Sequence, residues 1–282
     1  MASFAAPARP DTLRLRVVSA VVLAPFPVAA IWFGSPWLPI LTVVAGAIMG
    51  WEWARLCRQG SAAARGFAVG DAAVIATVVV AVLCAWLFAQ AVVAVAAAAA
   101  GAILVWRVAR QARDRAALWM AFGTLWVALP CVALLWIARD GGSGRTTLLW
   151  LFAVVWATDI GAYVIGRRLG GPRLAPRWSP RKTWAGLIGG ACCAALAGWV
   201  TARWLGISPV LPLVAISAGL AIIEQFGDLA ESVAKRRFGV KDSSGLIPGH
   251  GGLLDRLDGL LAAAPAVALL TLIGGSSVLT WH

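Results

Sequence analysis

Charge is what this sequence has least of. Only 13% of its 282 residues are charged, and the acids are the scarcer sign, 12 Asp and Glu against 24 Lys and Arg. Soluble domains carry roughly a quarter charged residues. With 61% hydrophobic residues and a mean hydropathy of +0.85, this chain has more apolar surface than one soluble core can hide. That excludes a water-soluble globular protein and predicts an all-α, polytopic integral membrane protein. Histidine is nearly absent too, with two in all, and the five cysteines (Cys57, Cys84, Cys131, Cys192, Cys193) show no CxxC spacing and no histidine neighbours. Zinc and other soft-metal centres therefore have no ligand set. The cysteines fall in or beside apolar runs and are read as helix-packing residues. A GxxxxGKS loop is also missing, which excludes a Walker-type phosphate cradle.

What is present is a series of long apolar stretches. A membrane-spanning helix needs about 20 mostly apolar residues. Nine stretches qualify, near 15–33, 37–54, 69–88, 90–106, 116–138, 147–166, 184–204, 208–231 and 253–274, with Gln90 as the only break between the third and fourth. The first follows basic residues as a secretory signal does, but it is too long and lacks a small-residue cleavage site, so it is expected to be retained. With a cytoplasmic amino terminus, nearly all Lys and Arg fall in inner segments, and only Arg139, Arg145 and Arg203 fall outside. This is the asymmetry of the positive-inside rule, and it supports nine spans. The net charge of +12 is then accounted for by topology and an anionic inner leaflet, so nucleic acid is not an expected partner.

Most of the few acids (Asp159, Glu224, Asp228, Glu231, Asp242, Asp255, Asp258) lie after residue 150. The expected division is one membrane domain with scaffold helices over 1–145 and a catalytic region over 146–282, the latter with two cytoplasmic loops at 167–183 and 232–252. In "GLAIIEQFGDLAESVAKRR" the residues Glu224, Asp228, Glu231 and Lys235 follow at intervals of four, three and four, which stacks them on one helical stripe. A row of carboxylates facing lipid is too costly, about 2.5–3.5 kcal/mol each at a helix centre, so the stripe is expected to face a polar cavity. A neutralising network with Lys235 and an arginine is the structural alternative for Glu224 and Glu231. Asp255 and Asp258 enter the last span from the same side.

Hard carboxylates at a wet site suit Mg²⁺, which keeps only one or two protein carboxylates and takes its other ligands from water and phosphates. Lys235, Arg236, Arg237, Lys241 and Arg256 surround them, and "GHGG" offers flexible backbone before a helix N-terminus. A second basic loop holds Ser179, Arg181, Lys182 and Thr183 just ahead of the seventh long stretch. Gly186 and Gly190 carry GxxxG spacing there, read as helix packing. Asp159, beside Tyr163, either lines the same cavity or pairs with Arg167.

"SVAKRRFGVKDSSGLIPGHGGLLDRLD", residues 232–258, resembles the signature of the phosphatidate cytidylyltransferase (CDP-diacylglycerol synthase) family. Residues 159–170 and 179–186 are similar to that family's "DTGAYFxGRxFG" and "SPKKTWEG" stretches, with Ile160 in place of the usual Thr and Ala185 in place of the usual Glu. The resemblance covers about residues 156–259. It implies a Mg²⁺-dependent nucleotidyltransferase that joins CTP and phosphatidic acid into CDP-diacylglycerol and pyrophosphate, and it suggests a homodimer. The roles it implies are Asp228 and Asp255 on Mg²⁺, with Asp258 as a further ligand or its support. Lys235, Arg236, Lys241 and Arg256 would sit on phosphates, and Asp242 would orient Lys241 or Arg256. His250 would donate to phosphate or serve the turn, and Ser179, Lys182 and Thr183 would grip CTP. The excess of Arg over Lys and the abundance of Ala point to a GC-rich bacterial source and hence to the inner membrane, with the active site facing the cytoplasm. The rival reading is a secondary transporter or ion channel with intramembrane carboxylates, against which stand the absence of an inverted repeat and the gathering of charge at one face.

Overall fold

The computed structural model describes residues 22–58, 68–88, 90–112, 114–247 and 251–281. Their helices are α1 (Pro25–Phe33), α2 (Trp37–Cys57), α3 (Val69–Leu87), α4 (Ala91–Gln111), α5 (Ala117–Ala138), α6 (Gly144–Leu169), α7 (Trp184–Leu205), α8 (Leu211–Arg237) and α9 (Leu254–Gly274). Among the described residues, the eight from α2 to α9 are long and apolar enough to cross a membrane. The chain is thus a polytopic all-α membrane protein. Of the expected first span, 15–33, residues 22–33 are described and include the nine-residue α1, while 15–21 lie outside the described residues. The break expected at Gln90 is real, since α3 ends at Leu87 and extended backbone at Gln90 starts α4.

Lipid explains how these helices are finished. Inside a bilayer every polar group needs a protein partner, and the hydroxyls of Thr42, Thr77, Thr124, Thr158 and Ser217 each donate to the carbonyl four residues earlier. Large apolar side chains such as Val92, Ile103, Leu118, Leu196, Trp204 and Ile273 are exposed. In water they would be a liability, whereas here they are the lipid-facing surface.

Helix α5 packs against α2, α3, α4 and α9, and also touches α6. A second group is formed by α6, α7 and α8, and α9 joins the two by packing on both α5 and α8. Helices α6 and α7 approach closely. A side-chain carbon added at Gly186 would sit 3.0 Å from the Ala162 carbonyl oxygen, and one added at Gly190 would sit 3.0 Å from that of Thr158. The GxxxG pair therefore does what its spacing suggests, bringing two backbones together.

The basic segment between α6 and α7, expected as an irregular loop, folds instead into a hairpin. Strand β1 (Arg173–Ala175) pairs antiparallel with β2 (Ser179–Thr183), with Arg173 opposite Thr183 and Ala175 opposite Ser179. The reason is local. Pro176 occupies the second position of a turn closed by the Trp178 N–H donating to the Ala175 carbonyl at 3.2 Å, where its fixed φ is an advantage. Thr183 then caps α7, its hydroxyl accepting from the Gly186 N–H at 3.0 Å.

Replacing Gly190 by Leu should wedge α6 from α7 and destabilise the folded protein by about 1–3 kcal/mol, the usual cost of overpacking. Gly219→Ala, at a position where an added carbon meets nothing within 4 Å, should leave stability unchanged. Thermal unfolding of both variants in detergent, followed by tryptophan fluorescence, measures the contrast.

Candidate active site

The acidic stripe on α8 divides between different partners. Lys182, arriving from β2, meets Asp228 Oδ2 at 2.6 Å and donates to the Gln225 carbonyl at 3.1 Å. Two turns further on, Lys235 lies between Glu231 Oε1 at 3.0 Å and Asp255 Oδ1 at 2.7 Å, and all three side chains are buried. This fits the neutralising network foreseen for Glu231. Glu224 is different: it is 1% exposed, lies near Thr158 and Asp159, and forms no ion pair among the described residues.

Asp255 is held on both sides. Its Oδ1 takes the Lys235 ammonium, while Oδ2 accepts from the Gly252 N–H, the Ser243 N–H and the Ser243 hydroxyl, each at 2.8 Å. Such a carboxylate is locked by charge-assisted bonds to the loop that precedes its own helix. Asp258, one turn deeper, is half-buried and within electrostatic reach of Asp228, Glu231 and Asp159. Asp159 in turn feels Asp228, Lys182 and Arg256. Acids from α6, α8 and α9 thus lie within electrostatic reach of one another, with Lys182 and Arg256 in reach of Asp159. Among the described residues no three acidic, His or Cys side chains stand close enough to hold a metal ion by themselves.

Several expected roles look different in place. Lys235 is buried, with its charge already met by two carboxylates. Thr183 spends its hydroxyl on the α7 cap, and Ser179 pairs with Ala175 in the hairpin. Arg236 ties the hairpin to the end of α8, donating from Nε to the Trp178 carbonyl at 3.4 Å and from a terminal nitrogen to the Val240 carbonyl at 3.1 Å. Lys241 and Arg256 are exposed. Asp242 is exposed as well and forms an ion pair with neither of them among the described residues. Asp159 joins the acidic group and not Arg167, which donates to the Tyr163 hydroxyl at 2.7 Å. His250 lies outside the described residues. Ile160 is 64% exposed, on the outside of the bundle.

One participant had no signal in the spacing. Glu52 of α2 is wholly buried and accepts from the Ser244 hydroxyl at 2.5 Å and from the Leu253 and Leu254 N–H groups at 3.0 and 2.7 Å. A division of the chain at residue 145 into scaffold and catalytic halves omits this contact. Beside it, the Trp53 indole donates to the Trp119 carbonyl at 2.8 Å, and Trp119 packs edge-on against Phe238 at the end of α8. The one clue in the sequence was a lone acid inside an apolar run.

Two cavities, of about 600 and 450 Å³, open between Ile31, Trp86, Arg139 and Arg145 and between Ile137, Thr147 and Ser277. They lie where α5 ends and α6 begins, at the opposite helix ends from the charged group.

Fold and site together define a polytopic membrane protein with a charged, phosphate-compatible site at one end of its helix bundle. More narrowly, the chain belongs to the cytidylyltransferase family, whose profile matches residues 14–273. It is 40% identical over 270 residues to a protein of Brucella suis named phosphatidate cytidylyltransferase, covering 94% of each chain. It is 33% identical to proteins of the same name from Haemophilus influenzae (90% of this chain, 96% of the relative) and Pseudomonas aeruginosa (93% and 98%).

Removing the acid at Asp255 leaves Lys235 half-paired and three loop donors without an acceptor. Asp255→Ala should cost about 3–5 kcal/mol, as for breaking other buried pairs. A change in unfolding temperature in detergent of less than a degree would show that the lock does not carry the loop.

Proposed function

We propose that this chain is a phosphatidate cytidylyltransferase, an enzyme that transfers the CMP moiety of CTP to phosphatidic acid in phospholipid synthesis. Support comes first from its relatives of that name, which it matches nearly end to end. The observation that carries the reading to particular residues is the meeting of Lys182 with Asp228, which brings the hairpin's basic segment onto the acidic helix at one end of the bundle. The bilayer in this reading is the inner membrane of a bacterial cell and the site faces the cytoplasm, in keeping with the basic segments gathered at that end. The homodimer suggested by the resemblance belongs to the same proposal. Nothing favours a transporter.

In the reaction an oxygen of the lipid phosphate attacks the α-phosphorus of CTP. The bond from that phosphorus to the bridging oxygen breaks, and pyrophosphate leaves with the electron pair. A phosphomonoester has a second pKa of about 6, so the nucleophile is already ionised near neutrality and the protein need supply no strong base. Its task is to hold two anions together in line. Lys182 exchanges from Asp228 to a phosphate oxygen, Arg256 faces the same space, and the exposed Arg236 and Lys241 draw anions toward it.

The donors on offer are hard carboxylate oxygens, the type Mg²⁺ takes one or two of from protein while water and phosphates supply the rest, in keeping with the lack of any group of three ligating side chains among the described residues. Asp228 and Asp258 are the side chains that would hold it. Asp255, with both oxygens taken by protein donors, is assigned to the loop in preference to the metal. When bound, the ion would neutralise charge on the triphosphate and on the departing pyrophosphate.

Purified protein in mixed micelles should convert labelled CTP to a CDP-lipid and release pyrophosphate only when phosphatidate is present. Chelation should abolish turnover and added Mg²⁺ restore it. Solute flux without phosphatidate, or no CTP consumption at all, would overturn the reading. Asp228→Asn and Asp258→Asn should each lower kcat by about 100-fold or more, the scale of losing a charge-stabilising group. Lys182→Ala should raise the CTP concentration needed for half-maximal rate by roughly tenfold, and an unchanged CTP dependence would remove Lys182 from the nucleotide.

A further inference from the structure

Helix α9 begins without a cap of its own. Its N-cap position is Leu253, whose side chain has no oxygen to offer, so the first amides of the helix need an acceptor from elsewhere. Glu52 supplies it from α2, some two hundred residues earlier in the chain. Oε1 accepts from the Leu253 N–H and the Ser244 hydroxyl, and Oε2 accepts from the Leu254 N–H; Ser243 Oγ is 3.5 Å away and gives its one proton to Asp255. An anion at this end also opposes the helix dipole. Meanwhile Asp255 grips the same loop from its other side through Ser243 and Gly252. Ser243, fully buried, stands between the two carboxylates. The contact leaves no room for a side chain at residue 252, where an added carbon would lie 2.1 Å from Ser243 Oγ and 2.4 Å from Glu52 Oε1.

A fully buried carboxylate is costly unless its oxygens are satisfied. Every donor to Glu52 named here comes from Ser244, Leu253 and Leu254, so its burial is favourable only while those residues are held against α2. The first turn of α9 carries the exposed Arg256, and Asp258 follows two residues later within electrostatic reach of Asp228 and Asp159. We propose that Glu52 is a positioning residue for the transfer reaction. Its carboxylate clasps the loop ahead of α9 and thereby sets the register of Arg256 and Asp258 against the acids of α6 and α8. The inference rests on the proposed activity for its kinetic consequence, while the clasp itself rests on geometry alone.

The test uses the full chain in detergent micelles, with Glu52→Gln, Gly252→Ala and the double variant beside the parent. A glutamine presents an NH₂ where two donors need an acceptor. Glu52→Gln should lower kcat per folded molecule by about 10- to 100-fold, the scale of misplacing a catalytic group by about 1 Å, with the KM for CTP within about threefold. Hydrogen exchange at the Leu253 and Leu254 amides should quicken at least tenfold (about 1.4 kcal/mol) while that of α3 and α4 stays unchanged. Gly252→Ala should act in the same direction, and the double variant should be no worse than the more severe single one, because both break one clasp. Three results would each overturn the proposal: a kcat for Glu52→Gln within twofold of the parent, unchanged exchange at residues 253 and 254, or fully additive losses. A parent protein that does not consume CTP would sink the proposed activity instead, and the exchange measurement would still decide whether the clasp exists.

Discussion

The Asp255 carboxylate and the groups that saturate it are the constraint on which the rest of the site depends. A lysine from α8 neutralises one oxygen, and three donors from the preceding loop fill the other. At the edge of a bilayer a carboxylate left incomplete would be expensive, so the end of α8, the loop and the start of α9 must close together. Once they do, the neighbouring side chains have fixed directions. Arg256 remains exposed, Asp258 accepts from the Gly259 N–H within electrostatic reach of Asp228, and Lys182 reaches Asp228 from the hairpin. The buried ion network is therefore less a source of net stability than a means of specifying one arrangement, a use of buried charge that is attested where register must be set.

The two helical groups on either side of α9 have different tasks. The second group, α6 to α8, is drawn tight by glycines where α7 crosses α6, which lets Asp159 approach the acids of α8. The first group, around α5, carries little charge, yet it contributes Glu52 and the aromatic contact between Trp119 and Phe238. These hold the loop from the side opposite Lys235. A site at the ends of several helices is held by whichever elements end there, and membership follows the geometry of the bundle more than order along the chain.

Much of this architecture was legible in the sequence because lipid imposes a one-dimensional rule. A helix crossing hydrocarbon must be apolar for about 20 residues, and such runs are visible without any knowledge of contacts. Gln90 could be read as a break for the same reason, and Gly186 and Gly190 as a packing face. The hairpin at 173–183 was less visible, because its glycines and prolines signal a departure from helix without saying that Pro176 closes a turn between paired strands.

By itself, then, the sequence determined that the chain spans a membrane in long helices, and that its scarce acids and its basic signature gather at the ends of the last ones. Periodicity and composition suffice for that, since they are properties of single segments. Only the tertiary structure decided how each carboxylate is held. It locked Asp255 into the loop, joined Asp228 to Lys182 of the hairpin, and brought Glu52 to the start of α9. The physical reason is that a carboxylate's role is set by the donors that surround it, and here those donors come from segments up to about two hundred residues away, where no local pattern reaches.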